Sequence, residues 1–367
     1  MASSFQVLFN GEPADAAFYD LLSLLEVEEN ADLPGAIQLT MPIATRGPSG
    51  SEDIPVVGDD RFKPYASVAV VVSVDLIPDA CIFDGYVLSH KIRLDRGTTA
   101  SSLQVWGQDA SCLMNLEEKI REWTDSDGTI ANTIFQLPAY NFTPAGANTS
   151  DDSERHEETG HTVMQRGTDA QFLRDRARRT GRLFRVCCER AAGANTGFFI
   201  KPSLSGDAVT TIVINPEEES NVDELTFAWD VARPTSVRAK SLVLAVDAVD
   251  GAASDSGLDP LDSQSLASFT GDKFTMTVQL TATVESAGEL HARAKAVLAE
   301  SDWFVRCEGE TDLSQLNVVL RAGTVVQVNG AGKLHSGRYF VWSVRHTITA
   351  QSHRMKFVLV RNAVGVS

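Results

Sequence analysis

The chain has 367 residues, with 49 acidic and 32 basic side chains and a formal net charge of −17. A hydrophobic share of 43% supplies a large core and excludes a wholly disordered chain. The length predicts two or three domains, and the acidity argues against a general nucleic-acid-binding surface, which needs clustered positive charge.

The first residues, Met1-Ala2-Ser3-Ser4-Phe5, lack a basic region leading into an apolar run, so no secretory signal is expected. The apolar stretch 68–76 is interrupted by Ser73 and Asp75 and falls far short of the ~20 residues a membrane helix needs. The five cysteines, with Cys187 and Cys188 adjacent, form no regular disulfide framework. They are expected as buried thiols of a protein made in a reducing cytoplasm.

Taken in chain order, the first hundred residues read mostly as strands. Phe5-Gln6-Val7-Leu8-Phe9 runs into the turn signal Asn10-Gly11. Valine-rich 67–76, then 81–94 around Gly85, then 98–106 continue the pattern and suggest a barrel or sandwich. Residues 42–63 hold proline, glycine and charge and predict a long loop.

The period then changes. Cys112, Leu116, Ile120 and Trp123 recur at helical spacing after a cap at Asp109, predicting a helix over 112–123. Ile130, Ile134 and Leu137 predict a shorter helix after Thr129. Residues 143–162 are polar and predict a loop. Thr168 and Gln171 fit a capping box, with Phe172, Leu173 and Ala177 as the buried stripe and Gly181 as terminator. Residues 183–187 and 197–201 predict a hairpin.

The last third returns to strands. Ser286 and Glu289 make a second capping box, Leu290, Ala294, Val297 and Leu298 line one helix face, and Glu289 can pair with Arg293. Strands are predicted at 325–328, 339–348 and 355–360. The stretch 247–272, rich in aspartate and small residues, reads as a solvated loop or linker. An internal echo links the strand-rich ends. A valine strand, Asp84-Gly85-Tyr86-Val87 and His90 answer a second valine strand, Ser336-Gly337-Arg338-Tyr339 and His346.

No motif nominates a catalytic pair, a cofactor site or a metal site. His156-Glu157-Glu158-Thr159-Gly160-His161 spaces its histidines five apart, where a helical zinc motif needs four, and reads as a polar loop. Gly330-Ala331-Gly332-Lys333 lacks the spacing of a phosphate loop and reads as a strand connection. Cys187 could act as a nucleophile only with a distant histidine; a buried strand position is the simpler reading. Arg174, Arg176, Arg178, Arg179, Arg182, Arg185 and Arg190 form the one basic concentration, with Phe184 as its only interleaved aromatic. They read as a solvated face or a patch contacting an acidic neighbour rather than a nucleic-acid platform. The acidity gathers in 147–162, 217–230 and 241–272, at −4, −6 and −6, and so belongs to loops and connectors.

The order of segments resembles the phage late control protein D family. Trp106-Gly107-Gln108-Asp109 with Cys112-Leu113, Trp123 and Thr129-Ile130-Ala131 carries the first part of the resemblance. Gln165-Arg166-Gly167-Thr168-Asp169 with Phe172-Leu173, Ala177, Gly181 and Phe184 carries the second. The stretch 287–298, then 323–328, and the closing Gly337-x-Tyr339-x-Val341-x-x-Val344-x-His346 continue it to about residue 365. This family comprises hub proteins of contractile phage tails and injection machines and includes the N-terminal part of VgrG.

The resemblance implies a β-rich α+β fold: a first tube-like barrel over 1–106, an inserted α/β module over 107–236, and a second tube-like barrel over 237–367. It also implies a homotrimer whose six barrels join a hexameric inner tube above to a separate spike protein below, among other baseplate subunits. No catalytic residue, cofactor, membrane span or specific nucleic-acid contact comes with it. The expected place is a phage tail or injection particle assembled from cytoplasmic protein. A hexameric tube or adaptor component and a metal-dependent hydrolase built on His156 and His161 are the competing expectations.

Overall fold

Alternation along the chain, more than composition, decides where strands form. In the computed structural model, residues 3–43, 54–75, 77–96, 101–150, 163–215, 219–243, 246–282 and 287–365 are described. Strand β1 (Ser3–Phe9) turns through Asn10 and Gly11, at φ 50° and 84°, into β2 (Glu12–Pro13). Two positive φ values suit the primed hairpin turns. Helix α1 (Ala16–Leu21) is capped by Asp15, whose carboxylate accepts the Phe18 N–H at 2.8 Å. Then come β3 (Leu24–Asn30), β4 (Ala36–Pro42), β5 (Ser67–Val74), β6 (Ile77–Arg93) and β7 (Ser102–Asp109). Strands β3 and β4 were not among the predicted elements. Leu25 and Val27 of β3, and Ile37, Leu39 and Met41 of β4, all point inward. Gly85 in β6 lies so close to β7 that a Cβ there would stand 2.1 Å from the Gln108 carbonyl oxygen.

The predicted helix over 112–123 does not form. Asp109 does cap a turn, accepting the Ser111 N–H at 3.0 Å, but that turn is a short 3-10 segment, Ala110–Asn115. The chain then extends as β8 (Glu118–Trp123), leaving Ile120 84% exposed. The apolar residues at helical spacing therefore do not share a buried face. Cys112 and Trp123 are buried but Leu116 and Ile120 are not, and the Trp123 indole N–H donates to Gln165 Oε1 at 2.9 Å. Helix α2 (Asp127–Phe135) starts at Ser126, before Thr129, and buries Ile130 and Ile134, while Leu137 follows its end. After β9 (Thr143–Pro144), β10 (Val163–Thr168) pairs antiparallel with β8.

Helix α3 (Asp169–Thr180) carries both halves of the Thr168–Gln171 capping box and ends on left-handed Gly181. Strands β11 (Leu183–Cys188) and β12 (Asn195–Ile200) form the expected hairpin. Trp123, Ile134, Phe135, Leu173, Phe184 and Phe199 make the core of this middle region.

The last part holds β13 (Thr211–Val213), β14 (Glu224–Trp229), β15 (Ser236–Val243), β16 (Val246–Asp250) and β17 (Gln264–Ser265). Helix α4 (Leu266–Thr270), β18 (Thr277–Thr281), α5 (Ala287–Ser301), β19 (Val305–Asp312) and α6 (Leu313–Leu316) follow. The chain closes with β20 (Val325–Asn329), α7 (Gly332–His335), β21 (Gly337–Ile348), β22 (His353–Arg361) and β23 (Ala363–Val364). In α5, Leu290, Ala294 and Leu298 are buried and Glu289 pairs with Arg293 at 2.6 Å, whereas Ser286 lies outside the described residues. The acidic stretches are not all connectors. Residues 224–229 form β14, and 247–272 contributes β16, α4 and buried Leu261, Asp262 and Leu266. Burying Asp262 is possible because an arginine waits for it, as described below.

One large sheet organises the fold, in the order β14-β19-β22-β21-β3-β4-β7-β6-β5-β1-β2, with β13 and β20 branching from β21. Strand β21 changes partner along its length. Its first residues pair with β20, from Val328–Gly337 to Val325–Phe340, and its last with β3, from Ser343–Asn30 to Ile348–Leu25. The two strand-rich ends of the chain thus share one antiparallel ladder and one core. The fold is β-rich α+β, but among the described residues no sheet closes into a barrel: the large sheet runs as an open order from β14 to β2, and the two expected barrels are not seen. The internal echo corresponds to two antiparallel meanders, β5-β6-β7 and β20-β21-β22. A separate sheet, β16-β15-β18, packs Val237 and Ala239 against α5.

Candidate functional site

The His156 to His161 cluster lies outside the described residues. Among the described residues, no group of three or more His, Cys, Asp or Glu is placed to hold a metal ion, and no helix is long and apolar enough to cross a membrane. Lys333 sits in the single turn α7 that connects β20 to β21, as its spacing suggested. Gly337 takes φ 132°, and a Cβ there would meet Arg361 Nη2 at 2.5 Å.

The basic concentration is not a solvated face throughout. Arg176 is buried and grips Asp127 at 2.7 and 2.9 Å. Buried Arg182 donates to the carbonyl oxygens of Asn148, Phe199 and Ser150 at 2.9, 3.1 and 3.0 Å. Arg185 stacks on Phe198 and donates to the Ala322 carbonyl at 2.6 Å, while Arg174 lies over the Phe184 ring. Arg178, Arg179 and Arg190 remain exposed. Guanidinium forks satisfy several carbonyls at once, which suits internal bracing as well as surface recognition.

Three distant segments meet at Arg321. Its guanidinium pairs with Glu29 of β3 at 2.6 Å and donates to the carbonyls of Cys188 and Glu189 beside β11 at 2.7 and 3.1 Å. Burial pushes the Glu29 carboxyl up, and Arg321 opposes it. The short contact, with the Ala322 N–H also donating to Glu29 at 3.3 Å, favours the ionised pair. Arg361, fully buried, pairs with buried Asp262 and lies over the Tyr339 ring. Burial pushes Arg361 down to about 10. His346 and His353 face each other inside the β21–β22 hairpin, Nδ1 to Nε2 at 3.0 Å. Nothing in the spacing of these residues announced their pairing.

A cleft of about 740 Å³ opens between the ends of α3 and α5 and the sheet, with Trp229, Trp303, Trp342, Asp32, Arg178 and Glu300 in its wall. Its wall sets apolar rings beside charges of both signs.

The whole chain has solved counterparts. A tail protein from Neisseria meningitidis MC58 superposes with a TM-score of 0.67 at 12% identity, over 99% of this chain and 97% of that one. The 43 kDa tail protein of prophage MuSo2 from Shewanella oneidensis gives 0.64 at 13% identity, over 99% and 100%. A chain of the lidded Francisella PdpA-VgrG complex gives 0.56 at 10% identity, over 100% of this chain and 53% of that one. No curated protein matches the chain by sequence. A family model described as the Alg8 N-terminal domain matches residues 3–350. Built on a fold shared with phage tail proteins and a VgrG complex, the chain belongs to the Alg8 N-terminal domain family.

Proposed function

We propose that the chain is a structural, non-catalytic hub of a contractile tail or injection-system baseplate, of the late control protein D type. Three copies form a ring. Residues 1–106 and 237–367 supply two tube-like β units per copy, with 107–236 between them. Six such units match a hexameric inner tube above, and the threefold axis matches a separate spike below. Other baseplate subunits dock around the ring, and the finished place of the protein is the particle.

The observation that carries this reading is the joining of two like meanders, β5-β6-β7 and β20-β21-β22, into one ladder through β3 and β21. A rigid pair of similar units is what converts threefold into pseudo-sixfold geometry. The full-length likeness to tail proteins supports it.

Mass photometry of the purified chain, alone and mixed with a candidate spike protein, tests the reading. Trimers, or a complex with three copies of each, are expected. Hexamers alone would favour a tube or adaptor component instead, and monomers alone in the presence of spike would sink the hub. A metal-dependent activity lost in His156→Ala would replace it with a hydrolase.

A further inference from the structure

Strand β6 and strand β11 are 107 positions apart at Cys81 and Cys188, yet they bring these residues together. The Cys188 thiol donates to the Cys81 carbonyl at 3.0 Å, and the Cys81 N–H donates to the Glu189 carbonyl at 3.1 Å. The Cys81 thiol donates to the Phe83 carbonyl at 3.3 Å. Both thiols are free and no more than 1% exposed. Burial and the adjoining Cys81 thiol push the Cys188 thiol above its usual range. Its neighbour Cys187 occupies the opposite face of β11 and is only half-buried.

We propose that Cys81 and Cys188 are a modification site, oxidised reversibly to an intramolecular disulfide by peroxide. A thiolate attacks one peroxide oxygen, giving a sulfenic acid and hydroxide, which takes up a proton to become water. The second thiol attacks the sulfenic sulfur, an S–S bond forms, and a second water leaves with its proton. Two thiols and one hydrogen peroxide give one disulfide and two waters, so two electrons pass from sulfur to peroxide. The reaction is slow, because a buried thiol with little thiolate must await local opening, and it quickens as pH rises.

The bond staples β6 to β11 beside the carbonyls of Cys188 and Glu189 that Arg321 holds. It closes a loop of more than a hundred residues, where chain-entropy stabilisation is large. The reduced form suits assembly in a reducing cell and the oxidised form a particle outside it. That use rests on the tail reading; the chemistry does not.

The test treats the full-length reduced protein with hydrogen peroxide, blocks remaining thiols by alkylation under denaturing conditions, and maps peptides by mass spectrometry. A Cys81–Cys188 cross-linked pair is expected, reversed by dithiothreitol, retained in Cys187→Ser and absent from Cys81→Ser. The oxidised wild type should melt several degrees higher than the reduced, and oxidised Cys81→Ser should show no such rise. A Cys187–Cys188 bond, intermolecular bonds only, or both buried thiols still alkylated after prolonged treatment at high pH would overturn the site. The readout needs only the isolated chain, so a failed trimer and a failed disulfide are separate results.

Discussion

Arg321 and Glu29 stand 292 positions apart and meet at 2.6 Å, with the carbonyls of Cys188 and Glu189 held by the same guanidinium. One side chain therefore ties a strand from the start of the chain, a hairpin from its middle and a loop near its end. Such a junction depends on both charges being present.

Arg321→Ala should be severely destabilising, by about 3–5 kcal/mol, because it leaves the Glu29 carboxylate buried and unpaired. Replacing both partners, as Arg321→Met with Glu29→Met, should recover most of that loss. Urea denaturation of the single and double variants measures the difference, and equal losses in all variants would show that the pair does not act as a unit.

The paired histidines predict a pH dependence. Burial lowers His346 well below its ordinary range and His353 to about 4, with Asp312 opposing the shift at His353. The unfolded chain takes up these protons near pH 6.5 and the folded chain only far lower. Stability is therefore intact above about pH 6.5 and is lost as pH falls toward 4, by on the order of 3 kcal/mol for His353. Melting curves from pH 7 to 4.5 should fall more steeply for the wild type than for His353→Gln.

Gly85→Ala should cost about 3 kcal/mol, because its Cβ would stand 2.1 Å from a backbone oxygen of β7 that cannot rotate away. A denaturation midpoint unchanged from wild type would mean that the β6–β7 ladder relaxes around the methyl group.

Two isoleucines separate strand from helix in the middle region. Ile120→Ser should leave stability within about 0.5 kcal/mol, since that side chain is 84% exposed. Ile130→Ser, at 1% exposure, should cost about 3 kcal/mol or more. Comparable losses at both positions would restore the helical reading of 112–123.

Native-state hydrogen exchange should rank the strands. The β3 amides that enter the seam with β21 should be among the slowest, and those of the two-stranded β8–β10 ribbon among the fastest. Fast exchange at Val27 and Glu29 would show that the two halves open independently.

What the sequence disclosed was local. The Thr168–Gln171 box, Gly181 and the β11–β12 hairpin are readable because each involves residues a few positions apart. Strand β3 was hidden because Glu26 and Glu28 dilute its apolar signal and Glu29 takes an inward position in line with Leu25 and Val27. Leu116 and Ile120 fit a helical period by coincidence, and only pairing with β10 decides against it. Asp262 looks like one more solvated aspartate until Arg361, 99 positions later, is folded onto it. Arg176 and Arg182 read as part of a surface because their partners, the Asp127 carboxylate and the Asn148 and Phe199 carbonyls, leave no trace in the spacing.

The seam between β3 and β21 has a mechanical meaning. Its six facing pairs, Ser343–Asn30 to Ile348–Leu25, lie side by side along the strands. A load directed along those strands shears all of them together, whereas a load across them peels one pair at a time. An axial thrust that reached the molecule along β21 would therefore meet its stiffest direction, and the two halves would move as one piece rather than hinge.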